Sequence, residues 1–415
     1  MKPAKCISVF FWILAAGLST TPAGELKAQG IDDGRPWLAS RALPPPNASP
    51  ILRAAAASAR NQPQSERLLL RIVRSQPASE EARQAHDLLS RIYLRTGQYR
   101  RLLENLDQWS RSFPNDPQVP KDLEQFRGLP DQINGPRRVS NLTHGPEKDF
   151  NAPILINGKR AAYLLDTGAW LSVMTESEAK RLGLPVRASA GLLMESSGKG
   201  VNIKTAIAKD LKVGSTVFHD VSFAILPDVE PWRSMPVGRA GIIGVPILLH
   251  LGCIRWRQDR SWTLGCAPAR NDSAPPNLVF YKNRILLSSL ADKDQVFMTL
   301  DTGAETTDLN TNFAQQFAGQ IQRQGVKDQT SVIGAGGTSV IESVTLPAVD
   351  FSIGGGMVSL RPAHVTMQNN PAMGGDCCIG NAGLDLLLQT GALTIDFSSM
   401  SLRLRVTPEQ VRSRK

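Results

Sequence analysis

The chain has 415 residues, enough for two or three domains, with 20% charged and 41% hydrophobic residues, which excludes a wholly disordered protein. Its formal net charge is +10, but the Arg and Lys residues are scattered with no run of five or six. The balance therefore reads as a solvated basic surface, and no nucleic-acid partner is expected.

In chain order, Lys2 and Lys5 precede a 12-residue apolar stretch, Ile7 to Leu18, followed by small residues with candidate cleavage points after Ala23 or Ala28. This predicts an export signal over 1–28, either cleaved or kept as an anchor. The apolar stretch is too short for a standard membrane span. The expected destination is the periplasm or the cell exterior. Residues 29–50, with Pro44-Pro45-Pro46, read as a linker.

The span 51–127 reads as helical. Leu68, Leu69, Ile72 and Val73 repeat at helical spacing, as do Ala82, Ala85, Leu88, Leu89, Ile92 and Tyr93. Ser79 followed by Glu80 and Glu81 marks a helix start and Gly97 a stop. A further helix is predicted near Tyr99 to Phe113. Helix pairs of this size resemble tetratricopeptide-like units, and they equally fit a plain bundle. The first reading offers a docking part for a protein partner; the second is a spacer or lid.

A second linker is read over 128–149, and from 150 the pattern changes to short apolar runs punctuated by Gly, Asn and Asp. Asn157-Gly158 predicts a tight hairpin turn. In this β-rich region one segment occurs twice. Leu164-Leu165-Asp166-Thr167-Gly168-Ala169 recurs as Thr299-Leu300-Asp301-Thr302-Gly303-Ala304, with the aspartates 135 residues apart. Each copy continues with a helix-like piece (Glu176–Leu182, then Asn312–Phe317) and a Gly-rich turn. The turns carry Gly198 and Gly200 in the first copy, Gly336 and Gly337 in the second. Paired strands follow, and each copy closes on an apolar segment, Gly244 to Gly252 and Gly383 to Gly391, before a last hairpin. One such tetrapeptide says little; two, at the same place in two parallel series of elements, mark a duplication.

The repeat resembles the retropepsin-like aspartic proteases, the fold of retroviral proteases and of each lobe of pepsin. The resemblance covers about 150–267 and 277–406 and rests on both Asp-Thr-Gly-Ala motifs and on Gly241-Ile242-Ile243-Gly244. Within that family the chain is most similar to bacterial exported proteins with two such halves behind a helical segment. The fold it implies is mainly β, with two tandem lobes over 150–270 and 277–406, a small helical part before them, and a basic tail over 407–415. The activity it implies is endopeptidase cleavage of peptide or protein substrates.

The chemistry explains the duplication. Hydrolysing an amide without a metal or a nucleophilic side chain requires one group to activate water and another to supply a proton. Two close carboxylates sharing one proton do both, because two like charges that near cannot both ionise. Such a pair titrates as a unit, so the sequence assigns neither Asp166 nor Asp301 a fixed role. Each half supplies one of them, so a single chain makes a complete catalytic unit without dimerising. Gly168 and Gly303 give a tight turn and room for the opposite carboxylate. The resemblance implies that Thr167 and Thr302 bond across to the other loop, and that Gly198, Gly200, Gly336 and Gly337 lie on flaps over the substrate. Ala169 and Ala304 stand where pepsin-like enzymes often carry a hydroxyl. Without that donor the pair should titrate higher and work nearer mild acid or neutral pH.

The second copy departs from the first: Asn381 and Ala382 replace Ile242 and Ile243 before the glycine, and Glu305 stands where the first copy has Trp170. The alternative reading is a weakly active or inactive peptide-binding protein using the same cleft. Four cysteines remain after removal of the signal, Cys253, Cys266, Cys377 and Cys378, and they allow three full pairings. Cys253 and Cys266 flank a predicted hairpin whose two-residue turn at Asp259-Arg260 would set them directly opposite, within reach of a disulfide. Cys377 and Cys378 are adjacent, either free or joined to each other. With no CxxC and five scattered His, no metal and no cofactor is expected.

Overall fold

The structure, a computed structural model, describes residues 11–12, 47–116, 119, 126–143, 150–195, 200–230, 232–266, 275–334, 337–367 and 377–405. The export signal therefore lies outside the described residues except for Phe11–Trp12, which pairs with Met194 and Glu195. The tail 407–415 lies outside them too.

The N-terminal part contains the helices α1 (Pro50–Ala59), α2 (Ser65–Ser75), α3 (Glu80–Arg95) and α4 (Tyr99–Ser112). Ser79 caps α3, its Oγ accepting from the Ala82 amide at 3.1 Å, with Glu80 and Glu81 in the positively polarised first turn. Leu69, Val73, Leu89 and Leu106 bury the inner faces. The helices rest on both halves of the β region, Glu80–Arg95 against Val245–Leu251 of the first and Pro50–Ala59 against Leu278–Tyr281 of the second. Ala56 and Ala59 of α1 pack with Val279, Leu286, Cys377 and Cys378. Arg95, buried at the end of α3, stacks its guanidinium 4.1 Å above the Phe280 ring and donates to the Ser58 carbonyl at 3.0 Å.

The β region is built twice. In the first half, Asn151–Ile156 and Lys159–Leu165 form a hairpin whose turn residues Asn157 and Gly158 have φ of 47° and 79°. That left-handed pair is what a two-residue type I′ turn requires. Gly241–Ile243 runs parallel to Lys159–Leu165 and antiparallel to Ser172–Thr175. Thr216–Leu226 pairs with Ser172–Thr175 and with Gly200–Val213, and the latter returns to Asn151–Ile156, closing a ring of strands.

The second half repeats the central arrangement. Arg284–Ala291 and Asp294–Leu300 form the hairpin, and Gly380–Ala382 lies parallel to Asp294–Leu300 and antiparallel to Asp308–Leu309. The registers coincide: Ile242 and Ile243 face Leu164 and Leu165, as Asn381 and Ala382 face Thr299 and Leu300. Among the described residues no pairing closes this sheet into a ring.

A third sheet joins the halves. Its order is Ser401–Arg405, Ala392–Asp396, Cys253–Arg257, Ser261–Leu264 and Ser140–Thr143. The last hairpin of one half thus pairs with the last hairpin of the other, Arg255 opposite Thr394 and Trp256 opposite Leu393. Trp256 and Trp262 are fully buried in it.

Three details differ from the sequence reading. Ile133–Asn134 and Ser140–Thr143, inside the stretch read as a linker over 128–149, are strands, because Leu142 opposes Trp262 and extends the shared sheet. The hairpin after Cys253 has a three-residue loop rather than a two-residue turn. Arg260 takes φ of 71°, and the Asp259 carboxylate accepts from the Ser261 amide at 2.9 Å. Cys253 consequently opposes Gly265, whose amide donates to its carbonyl at 2.8 Å, yet Cys253 and Cys266 are joined with Cα atoms 5.2 Å apart. Lastly, the apolar segment after Gly244 is a seven-residue helix, Val245–Leu251, while that after Gly383 is helical only over Leu384–Leu387. The Gln389 side chain explains the early stop: its Nε2 donates to the Asp385 carbonyl at 2.9 Å, the acceptor a continuing helix would use. Cys377 and Cys378 are bonded to each other.

Candidate active site

Both motif aspartates leave the end of a buried central strand. The Asp166 amide donates to the Ile243 carbonyl at 3.0 Å and the Asp301 amide to the Ala382 carbonyl at 3.1 Å, so each loop is held by the short parallel strand beside it. Beyond the aspartates, the Val245 amide bonds the Ala169 carbonyl at 2.7 Å, as the Leu384 amide bonds that of Ala304 at 2.8 Å. Hydroxyls complete the match: Ser172 Oγ accepts from the Gly244 amide at 3.1 Å and Thr307 Oγ1 from the Gly383 amide at 2.9 Å. Gly244 and Gly383 are required because the loop passes too close for a side chain. A Cβ at Gly244 would lie 2.7 Å from the Ala169 carbonyl oxygen, and one at Gly383 would lie 2.5 Å from that of Thr306.

The two loops meet. The Thr167 amide donates to Thr302 Oγ1 at 3.1 Å, and the Thr302 amide donates to Thr167 Oγ1 at 3.0 Å. Each hydroxyl then passes its own proton onward, Thr167 to the Leu300 carbonyl at 2.9 Å and Thr302 to the Leu165 carbonyl at 2.6 Å. All four groups are buried, so leaving any one unmade would carry a full desolvation cost.

This exchange sets the carboxyls face to face. A Cβ on Gly303 would lie 2.4 Å from Asp166 Cγ, and one on Gly168 would lie 3.0 Å from Asp301 Oδ1. Each carboxyl thus rests against the other loop's glycine. Both aspartates are essentially inaccessible, Asp166 at 0% and Asp301 at 1%. Asp166 Oδ1 accepts from the Gly168 amide at 2.7 Å, while its Oδ2 has no hydrogen-bond partner among the described residues when both groups are taken as ionised. A proton between the two carboxyls supplies the donor that this oxygen lacks. Asp301 is better served: Oδ1 accepts from the Gly303 and Ala304 amides at 2.8 and 3.1 Å, and Oδ2 from Asn381 Nδ2 at 3.2 Å. Burial, with Asp301 facing it, holds Asp166 well above the ordinary carboxylate range. Burial also pushes Asp301 up, to about 6, against the pull of its donors. The arrangement can keep one proton between two carboxyls at mildly acidic pH, so it can act as acid and base at once.

Of the other residues singled out in the sequence, Gly200 and Gly337 open the return strands of two hairpins. These are Arg187–Glu195 with Gly200–Val213, and Val326–Gly334 with Gly337–Leu346. Gly198 and Gly336 lie outside the described residues. Trp170 is buried beside the first loop, its ring 6.0 Å from that of Phe280. No group of three or more His, Cys, Asp or Glu that could hold a metal occurs among the described residues.

Sequence reasoning missed a further buried carboxyl near the pair, Asp308, which burial and the neighbouring Asp385 and Asp301 push up to about 7. Thr307 beside it donates to Asp385 at 2.6 Å. Aligning the two copies residue by residue sets Asp308 on Val173, a signal that would have found it.

A family model for aspartyl proteases matches residues 152–247, the span that holds the first motif and its supporting strand. No curated protein matches the chain. The solved structure of a retropepsin-like aspartic protease from Rickettsia conorii aligns over 31% of this chain and 94% of its own, at 14% identity and a TM-score of 0.23.

Proposed function

We propose that the chain is an aspartic endopeptidase in which Asp166 and Asp301 activate water for attack on a peptide bond. The observation that carries this reading is the pair itself: two buried carboxyls, each lodged against the other loop's glycine, with a single proton accounting for the unpartnered Asp166 oxygen.

The reaction follows from that geometry. Water held between the carboxyls loses a proton to the ionised one as its oxygen bonds the amide carbon. The protonated one gives its proton to the carbonyl oxygen, leaving a neutral gem-diol. The proton taken from water then goes to the amide nitrogen as the C–N bond breaks. A diol hydroxyl returns its proton to the second carboxyl, and the products are a carboxylic acid and an amine. No cofactor enters these steps. The chain's first 28 residues and its two disulfides support export to an oxidising compartment.

The deciding experiment compares the full chain with Asp166→Asn and Asp301→Asn on a mixture of unfolded proteins across acid to neutral pH. Cleavage by the wild type and none by either variant is the expected result. Equal products from all three would end the protease reading. Peptide capture without cleavage by all three would favour a binding protein that uses the same cleft.

A further inference from the structure

The two halves place different side chains at one matched pair of positions behind the loops. In the first half Val173 faces Ile242 across the antiparallel ladder, both buried and apolar. In the second half the corresponding pair is Asp308 and Asn381, both still buried, at 6% and 1% exposure. Residues directly opposite in such a ladder project to the same side of the sheet and behave as one unit. A polar pair has thus replaced an apolar pair at a site where polarity carries a burial penalty. The replacement is put to use: Asn381 Nδ2 donates to Asp301 Oδ2 at 3.2 Å.

The consequence is an unequal pair. Asp301 receives three donors, two backbone amides on one oxygen and Asn381 on the other. Asp166 has backbone donors alone, the Gly168 amide at 2.7 Å and the Ala169 amide, and its second oxygen has no partner among the described residues. Donors stabilise a carboxylate, and an oxygen without a donor is the natural seat of a proton.

We propose that Asn381 is a positioning residue that polarises the carboxyl pair, holding the negative charge on Asp301 and leaving the shared proton on Asp166 Oδ2. This rests on the protease reading and gives each aspartate a fixed first task. Asp301 takes the proton from water, and Asp166 protonates the carbonyl oxygen. The titratable groups around Asp301 are other carboxylates: Asp166 from the first loop, Asp308 from the strand that carries Asn381's partner position, and beyond it Asp385 from the short helix Leu384–Leu387. Each of them, when ionised, opposes charge on Asp301; the Asn381 amide favours it, as does the Asp166 carboxyl when it carries the shared proton and donates it.

The test reads the pair directly. Full-length protein labelled with carbon-13 at the aspartate carboxyls is titrated by NMR from about pH 3 to about pH 9, with Asp166→Asn and Asp301→Asn assigning the signals. In the wild type the Asp301 signal should move to its ionised position first. In Asn381→Ala the lower midpoint should rise by about one pH unit, a roughly tenfold change in proton affinity, and the order between the two aspartates should be lost. The double variant Asp308→Val with Asn381→Ile copies the pair that the first half already packs. It should behave the same way and decides the matter if Asn381→Ala does not fold. Unmoved midpoints in a folded variant, or Asp166 ionising first in the wild type, would overturn the proposal. The titration needs no substrate. A wild type that cuts nothing therefore ends the protease reading and leaves this result standing, whereas cleavage with unmoved midpoints ends only this proposal.

Discussion

Thr167 and Thr302 hold each other's backbone: each hydroxyl accepts the other residue's amide, at 3.0 and 3.1 Å, across the junction of the two halves. Removing one hydroxyl strands a buried amide and a buried carbonyl, both on the opposite loop. Thr302→Val should therefore destabilise the fold by about 2 kcal/mol. It should lower cleavage by roughly 100-fold, because the carboxyls lose their mutual placement. Thr302→Ser, which keeps the hydroxyl, should stay near wild type in both. Urea denaturation and initial rates on an unfolded protein check the pair of outcomes.

Hydrolysis requires one carboxyl ionised and the other protonated. The rate should rise with pH as the pair loses its first proton near about 6 and fall at higher pH as it loses the second. Ala304 is buried next to the Asp301 donors. Ala304→Ser adds a hydroxyl that can donate to the carboxylate, which favours ionisation and should move the rising limb to lower pH. A pH–rate profile with a strongly acidic optimum in the wild type, or no displacement in the variant, would contradict this.

The glycines of the two motifs should not be equally sensitive. A Cβ at Gly303 would meet the Asp166 carboxyl carbon at 2.4 Å, while one at Gly168 would stand 3.0 Å from the nearest Asp301 oxygen. Gly303→Ala forces the Asp166 carboxyl aside and should cost at least about 100-fold in kcat/KM. Gly168→Ala asks for a displacement of a few tenths of an ångström and should cost less. Parallel rate measurements on the two variants test the ranking.

Asp308 should make the protein less stable as pH rises. Its folded value lies near about 7, above the ordinary carboxylate range of about 4. Between those two pH values the folded protein keeps a proton that the unfolded chain has lost, so stability falls through that window. Asp308→Asn removes this contribution. The variant should gain a few kcal/mol over wild type at about pH 8 and almost nothing at about pH 4. Denaturation midpoints at the two pH values give the answer directly. A gain of equal size at both would show that Asp308 does not titrate in this way.

The mainly β fold with helices before it was legible in the sequence because the duplicated motif repeats both residues and order, and because Asn157-Gly158 names its own turn. Asn381 was visible only as a departure from Ile242. Its bond to Asp301 joins residues 80 apart and depends on a parallel register that no local pattern encodes. Asp308 reads as an ordinary polar residue until it is set against Val173. The hairpin after Cys253 differed by one residue in register because Arg260, a residue with no turn preference of its own, adopts a left-handed backbone. Adjacency alone does not decide whether Cys377 and Cys378 bond to each other, and only the fold joins them.

The sheet that interleaves the last hairpins of the two halves has a consequence beyond cohesion. In an assembly of identical subunits, any residue placed behind one aspartate is placed behind the other, and the pair must remain equivalent. Here Cys253–Arg257 finds its neighbour in Ala392–Asp396 of the same polypeptide, so unlike halves always meet. A change in one copy is never mirrored in the other. That pairing is what lets Asn381 stand behind one carboxyl while Ile242 stands behind its twin.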